Sequence, residues 1–315
     1  MTVDFAIRDW HWELTKRCNL KCLHCIIGNR SDYEMDTQKA FAAISQIVKL
    51  GGKRLFITGG EPLMRDDIFL IIKRAQKAGL VVSLISNGTK IDRKFLDSVG
   101  NCIQSIAISI DGPLSVQDKI RGAGVYDKCI TAIHLIKKQG IDLSVYSTIN
   151  SLNEKGIGDF LKEMIVIGVN SFHFNEINPE GRAQENKFLL LAPKENKNRA
   201  NFILRQLKEV IEIDKFDVDT SCSIAPETVY MQSDGKIFSC VEIAFKDPSI
   251  HIGNILKDSP EDIKRGISSF LASTFFCKKL KCCYTSYSSP GISINLNEIG
   301  KCPMIRRIDN ESRFT

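Results

Sequence analysis

The chain has 315 residues, 43% of them apolar, which is enough for one large core, and no apolar run approaches the ~18 residues that would cross a membrane. Its formal net charge of +6 is modest and spread along the chain, as on an ordinary solvated surface and not a nucleic-acid-binding one. The opening stretch M-T-V-D-F-A-I-R-D-W-H-W-E carries acidic residues and no continuous apolar segment, so no signal peptide is expected.

In chain order the hydrophobic spacing alternates between strand and helix. Residues 3–15 place Trp10, Trp12 and Leu14 at alternate positions, which predicts a strand. Residues 37–50 place Ala40, Ile44, Ile47 and Val48 at helical spacing. Further strands are predicted at 55–58, 81–85, 103–110, 143–149 and 171–177, with helices over 66–78, 94–99, 126–139 and 154–167 between them. Six strand units alternating with helices imply a parallel sheet covered on both faces. Eight units would close a barrel, so six predict an open, partial (β/α)6 TIM-like barrel whose lateral opening admits a substrate larger than a metabolite. The barrel is expected over residues 1–215, with a small C-terminal hairpin-and-helix domain over 216–315.

The first predicted strand leads into T-K-R-C-N-L-K-C-L-H-C, with Cys18, Cys22 and Cys25 at C-x3-C-x2-C spacing. Three thiolates so spaced can hold three irons of a [4Fe–4S] cubane and leave the fourth iron open to chelate a ligand. A structural zinc knot is the alternative, but such knots usually close with a fourth Cys or His at short range. His24 lies between two of the cysteines, where its backbone is poorly placed to be that ligand.

The second strand runs into R-L-F-I-T-G-G-E-P, ending in Gly59, Gly60, Glu61 and Pro62. Glycines at a strand's carboxyl end let a small ligand approach the backbone. With both motifs in this order, each after a strand, the chain resembles the radical S-adenosylmethionine (SAM) superfamily. The resemblance implies that Cys18, Cys22 and Cys25 bind a [4Fe–4S] cluster. Its open iron would chelate SAM, and the G-G-E-P loop would contact the methionine amino group. It also implies a reducing cytoplasm, because low-potential clusters and their thiolates do not tolerate oxidation.

Ligands of such barrels sit at the carboxyl ends of the strands. The third predicted strand ends in Ser86-Asn87-Gly88-Thr89 and the fourth in Ser109-Ile110-Asp111-Gly112, followed by Asp118-Lys119-Ile120-Arg121-Gly122. The fifth ends in Asn150, and the sixth in Asn175-Glu176-Ile177-Asn178-Pro179-Glu180-Gly181-Arg182-Ala183. Each polar end alone is also what a turn or helix cap requires. S-I-D-G followed by D-x-x-R-G resembles the peptide-modifying branch of the superfamily. That resemblance implies SAM contacts for Ser86 and Ser109, a charge-assisted contact from Arg121 to the SAM carboxylate, and a ribose contact from Asn150. His24 stands where the family often packs an aromatic side chain near adenine.

Of the other cysteines, Cys102 and Cys129 read as small buried hydrophobes. Six lie further on: Cys222, Cys240, Cys277, Cys282, Cys283 and Cys302. Asp234-Gly235 marks a hairpin turn between residues 229–232 and 236–239, which brings Cys222 and Cys240 together. This resembles the auxiliary-cluster extension called SPASM, or its shorter form, twitch. The resemblance implies one auxiliary [4Fe–4S] cluster on Cys222 and Cys240, with Cys277 and one of Cys282 or Cys283; Cys302 could replace one of these or ligate a degenerate second cluster. The pattern departs from a full SPASM domain, since two complete clusters need about eight thiolates. A zinc ribbon remains the alternative.

The implied chemistry is reductive cleavage of SAM to a 5′-deoxyadenosyl radical, which abstracts hydrogen from substrate. A peptide substrate is expected, oxidised or cross-linked if the auxiliary cluster accepts the remaining electron. It is epimerised if a thiol such as Cys283 or Cys302 returns a hydrogen atom. Expected partners are a reductant such as flavodoxin or ferredoxin and a separate leader-peptide-binding protein, since the residues before Cys18 are too few for a fused one. The alternatives are a small-molecule substrate such as an aminocyclitol or sugar, and a non-catalytic iron–sulfur electron carrier or sensor.

Overall fold

Alternate residues of the first strand, β1 (Asp9–Thr15), serve two environments. Trp10, Trp12 and Leu14 are fully buried in one core with Ala40, Ala43, Ile44 and Ile47 of helix α1 (Thr37–Lys49). His11, Glu13 and Thr15 therefore turn to the opposite face, the barrel interior. The computed structural model describes residues 6–28, 33–191, 227–272 and 292–295.

Five more strands follow β1 in parallel, in sequence order: β2 (Arg54–Gly59), β3 (Val81–Ser86), β4 (Ser105–Ser109), β5 (Asp142–Ile149) and β6 (Ser171–Glu176). Between them lie α1, α2 (Ile68–Lys77), α3 (Arg93–Val99), α4 (Leu114–Arg121), α5 (Val125–Gln139) and α6 (Ile157–Val166). Asp36 and Asp92 cap α1 and α3 by accepting from Lys39 N and Phe95 N. The expected partial barrel is present.

Within the barrel, helix α4 is the element that the hydrophobic spacing does not show. Its sequence, L-S-V-Q-D-K-I-R, carries too few apolar residues for a stripe. Its punctuation is legible: Pro113 precedes it, and Gly122 ends it at φ +119°.

The hairpin is also present, as β7 (Thr228–Met231) and β8 (Lys236–Phe238) around Asp234-Gly235, with Gly235 at φ +87°. It does not stand apart from the barrel. β7 pairs in parallel with β1, from Asp9 opposite Thr228 to Trp12 opposite Met231, and so continues the barrel sheet. β9 (Gly253–Asn254) pairs with β8, and β10 (Ile292–Asn295) runs antiparallel to β6. The edges that an open six-stranded sheet would leave unpaired are thus covered. Helices α7 (Val241–Lys246) and α8 (Pro260–Ala272) follow the hairpin. The expected boundary at 215/216 lies outside the described residues. No helix among the described residues is long and apolar enough to cross a membrane.

Candidate active site

The cysteine loop leaves β1 at the carboxyl rim. Cys22 is buried, and Cys18 and Cys25 are half-buried. Burial pushes the Cys22 thiol up to about 11, against the opposing pull of Arg121, and raises Cys18 as well. The neighbouring thiols add to both rises, Cys25 and Cys18 at Cys22 and Cys25 at Cys18. Three thiol donors on one short loop are what a cubane needs, since each thiolate binds a different iron. Two donors already address Cys18: Leu20 N at 3.4 Å and Asn87 Nδ2 at 3.8 Å from its sulfur. Hydrogen bonds of this kind tune a metal-bound sulfur. The donor set therefore fits a [4Fe–4S] cluster bound through Cys18, Cys22 and Cys25.

The Gly-Gly-Glu-Pro loop is built around its own chain. A Cβ on Gly60 would stand 2.3 Å from Arg17 O, and one on Gly59, at φ +136°, 2.3 Å from Thr15 O. The glycines therefore admit the cysteine loop's backbone, which Gly60 N and Glu61 N grip by donating to Thr15 O (2.7 Å) and Arg17 O (2.8 Å). Glu61 is fully buried, and burial raises its pKa. Its carboxylate accepts from Asn87 N (2.7 Å), Leu63 N (3.1 Å) and Ser86 Oγ (2.9 Å). Glu61 and Ser86 thus tie the ends of β2 and β3 together, and Pro62 starts the short turn behind them. Behind the loop, buried Arg65 donates to Met35 O at 2.8 Å and pairs with Asp67 at 2.7 Å.

The end of β4 carries a polar hub. Asp111, fully buried, accepts from His24 Nε2 (2.7 Å), Arg121 Nε (2.7 Å) and Nη2 (3.1 Å), and Thr148 N (2.9 Å). Burial alone would raise its pKa, but the Arg121 guanidinium and His24 hold the carboxyl well below the usual carboxylate range. The cysteine loop, α4 and the ends of β4 and β5 meet on this one side chain. Ser109, half-buried beside it, accepts at its carbonyl from Gln117 Nε2 (3.3 Å). Asn150 is fully buried: its Nδ2 donates to Thr148 O (2.9 Å) and its Oδ1 accepts from Leu152 N (3.0 Å), an Asx turn. Cys129 is the buried small residue expected, with burial pushing its thiol up to about 12.

Of the C-terminal cysteines, Cys240 is described; Cys222, Cys277, Cys282, Cys283 and Cys302 lie outside the described residues. Cys240 precedes α7 and packs, like Cys25 and Ile26, against the apolar cluster of Ile27, Tyr230, Phe238, Ile243 and Phe245. The hairpin therefore lies beside the cysteine loop. Its turn also holds the chain just after that loop, with Met35 N donating to Ser233 O (3.1 Å) and Ser233 Oγ to Tyr33 O (2.9 Å).

Asn87 and Asp111, at the ends of β3 and β4, and Gln117, on α4, belong to the site through partners that no local sequence pattern marks. Three thiol donors on the carboxyl rim of a parallel partial barrel, braced by a glycine-rich loop, make a site suited to an iron–sulfur cofactor. Residues 12–164, just under half of the chain, match the model of the Radical SAM superfamily. It is 33% identical over 181 residues to pre-heme d1 synthase of Dinoroseobacter shibae, across 56% of this chain and 45% of that protein. It is 26% identical over 179 residues to mycofactocin maturase MftC of Mycolicibacterium smegmatis, across 55% and 45%. The chain thus spans about half the length of the curated relatives it matches. Its fold is shared with anSMEcpe, solved with bound AdoMet and the Cp18Cys peptide, at a TM-score of 0.67 and 18% identity, over 84% of this chain and 82% of that one.

Proposed function

We propose that the protein is a radical SAM enzyme that abstracts hydrogen from a peptide. The observation that carries this reading is the joint between the two motifs: the Gly-Gly-Glu-Pro backbone grips the cysteine loop while Asn87, held by Glu61, donates to Cys18. Cys18, Cys22 and Cys25 would hold the cluster. Gly59, Gly60 and Pro62 would shape the cofactor's seat, and Ser86 and Glu61 would brace it from below. Ser109 and Asn150, at the ends of β4 and β5, would contact the cofactor, and His24 would lie near its adenine. Arg121 spends Nε and Nη2 on Asp111, which leaves Nη1 for the SAM carboxylate. Bound SAM would supply a 5′-deoxyadenosyl radical on one-electron reduction.

Support for a peptide comes from the likeness to mycofactocin maturase and from the shared fold with the peptide-bound neighbour. A second reading, a heme precursor as substrate, is favoured by the higher identity to pre-heme d1 synthase. An auxiliary cluster on Cys240 and the cysteines around it, a flavodoxin or ferredoxin reductant, a leader-binding partner and a cytoplasmic location belong to the same proposal. The test is anaerobic reconstitution with dithionite and SAM, scoring 5′-deoxyadenosine. Wild type should form it, and a protein with alanine at Cys18, Cys22 and Cys25 should not. Failure of the reconstituted wild type to cleave SAM would refute the enzyme reading and favour the electron carrier. Peptide and iron-porphyrin substrates, offered separately, then decide between the two substrate readings.

A further inference from the structure

Past β6 the chain crosses the rim toward β1 through two short 3-10 turns, Gly181–Gln184 and Lys187–Leu189. On this path Arg182 makes contacts that the chemistry above does not use. Its Nε donates to Cys22 O (2.8 Å), its Nη1 to Gly28 O (3.0 Å) and its backbone N to Cys25 O (2.9 Å). Asn186 Nδ2 adds a bond to Leu23 O (3.2 Å). Beneath these bonds the two backbones touch. A Cβ on Gly181, at φ +61°, would lie 2.4 Å from both Cys25 O and Ile26 O, and Gly28, at φ +62°, backs onto Gly181 Cα. Ala183 and Leu189 are fully buried, and Leu23 of the cysteine loop packs against them.

An irregular loop has no ladder to satisfy its carbonyls, and each must find a donor or water. Here the carbonyls of Cys22, Leu23, Cys25 and Gly28 all find theirs on one segment. A planar guanidinium is suited to span two fixed acceptors, which a point-like ammonium is not. The segment also joins the end of β6 to the loop after β1, the last and first of the six parallel strands. The lateral opening expected from six strands is thus bridged at the rim.

From these contacts we infer that residues 181–186 form a latch across the open side of the barrel rim, with Arg182 as the positioning residue that sets the cysteine loop's conformation and the reduction potential of the cluster it holds. The potential rests on the cluster reading above; the latch itself does not. One positive charge on the backbone of a loop bearing an anionic cluster stabilises the reduced state and raises the potential. Four carbonyls held by protein donors also keep water from that side of the loop.

The test uses the full chain with Arg182→Gln, Arg182→Lys and, as an exposed control on the same segment, Lys187→Gln. In cluster-free protein, hydrogen exchange of the amides of residues 20–28 should be at least about tenfold faster in both Arg182 variants and unchanged in the control, since charge-assisted bonds are lost. The amides of β3 should stay protected; if they do not in Arg182→Gln, then Arg182→Lys, which keeps the charge and most of the bulk, is the variant that decides. Unchanged loop exchange overturns the latch, whatever the cluster does. In reconstituted protein the midpoint potential should fall in Arg182→Gln and recover in Arg182→Lys. An unshifted potential beside a loosened loop overturns the electrostatic half. If the wild type binds no iron, the functional reading fails while the exchange result still judges the latch.

Discussion

Asp111 gives the most demanding test of how the site is held, because its carboxylate gathers four donors from three directions. Asp111→Asn keeps the shape but replaces one accepting oxygen with an amide that faces donors, and it leaves the buried Arg121 charge uncompensated. Breaking a buried pair by removing one partner costs about 3–5 kcal/mol. The surviving carbonyl still accepts one or two bonds, so the lower end, about 3 kcal/mol, is expected. The readout is urea unfolding of the cluster-free full chain, followed by the fluorescence of Trp10 and Trp12, the chain's two tryptophans, both on β1 and fully buried. With a urea slope of about 3 kcal/mol per molar, the midpoint should fall by roughly 1 M. Replacing Arg121 with Met in the same protein should recover part of the loss, since removing both charges is less harmful than orphaning one. The pair also sets an acid limit. Asp111's folded pKa lies below its unfolded one, so its contribution is complete above the unfolded carboxyl value near 3.9 and is lost as pH falls through the folded value. A midpoint for Asp111→Asn within error of wild type would refute the hub, and an Arg121→Met addition that worsens it would show that the guanidinium has partners of its own.

Gly60→Ala would set a Cβ 2.3 Å from Arg17 O, a backbone atom that cannot turn aside; a loss of about 1–3 kcal/mol and impaired iron uptake are expected, measured by thermal melts and iron assay, and normal uptake would mean that the loop yields. His173 stacks on Tyr146 with ring centroids 4.5 Å apart, and burial, with a smaller push from His11, lowers its pKa to about 4. The unfolded ring takes up its proton near pH 6.5, so this contribution is present above that value and is lost as pH falls from 6.5 to 4; the ring is only half-buried, so at most about 3 kcal/mol is at stake. His173→Asn should flatten the stability profile over that window, and an unchanged slope would show that the ring is not the group responsible. Anaerobically reconstituted protein should carry about eight irons, falling to about four when Cys18, Cys22 and Cys25 are alanine; a wild-type value near four would remove the auxiliary cluster.

What could be read in advance was local. Period-two runs such as Trp10-x-Trp12-x-Leu14 mark a strand and its buried face without reference to any partner, and the spacing of Cys18, Cys22 and Cys25 is set within one loop. Pairing is not local, which is why β7 read as half of a separate hairpin when its parallel partner is β1. The braces of the site are less local still. Asn87 reaches Cys18 across 69 residues, Asp111 reaches His24 across 87, and Arg182 reaches Cys22 across 160. In the sequence each was only a polar residue at a strand's end, where a turn, a cap, a ligand contact and a tie to another loop all call for the same side chains. The structure separates these uses by partner. Asn150 closes its own turn, Glu61 and Ser86 hold each other, and Gly59 and Gly60 make room for the chain before they make room for any ligand. Residues marked by a cofactor motif therefore do two jobs here, and the first is to fix the loop that carries the thiolates. A substitution at Glu61 or Arg121 that abolishes activity would report on either job. The loop's own exchange, read without iron or SAM, is what tells a residue that holds the cofactor from one that holds the loop.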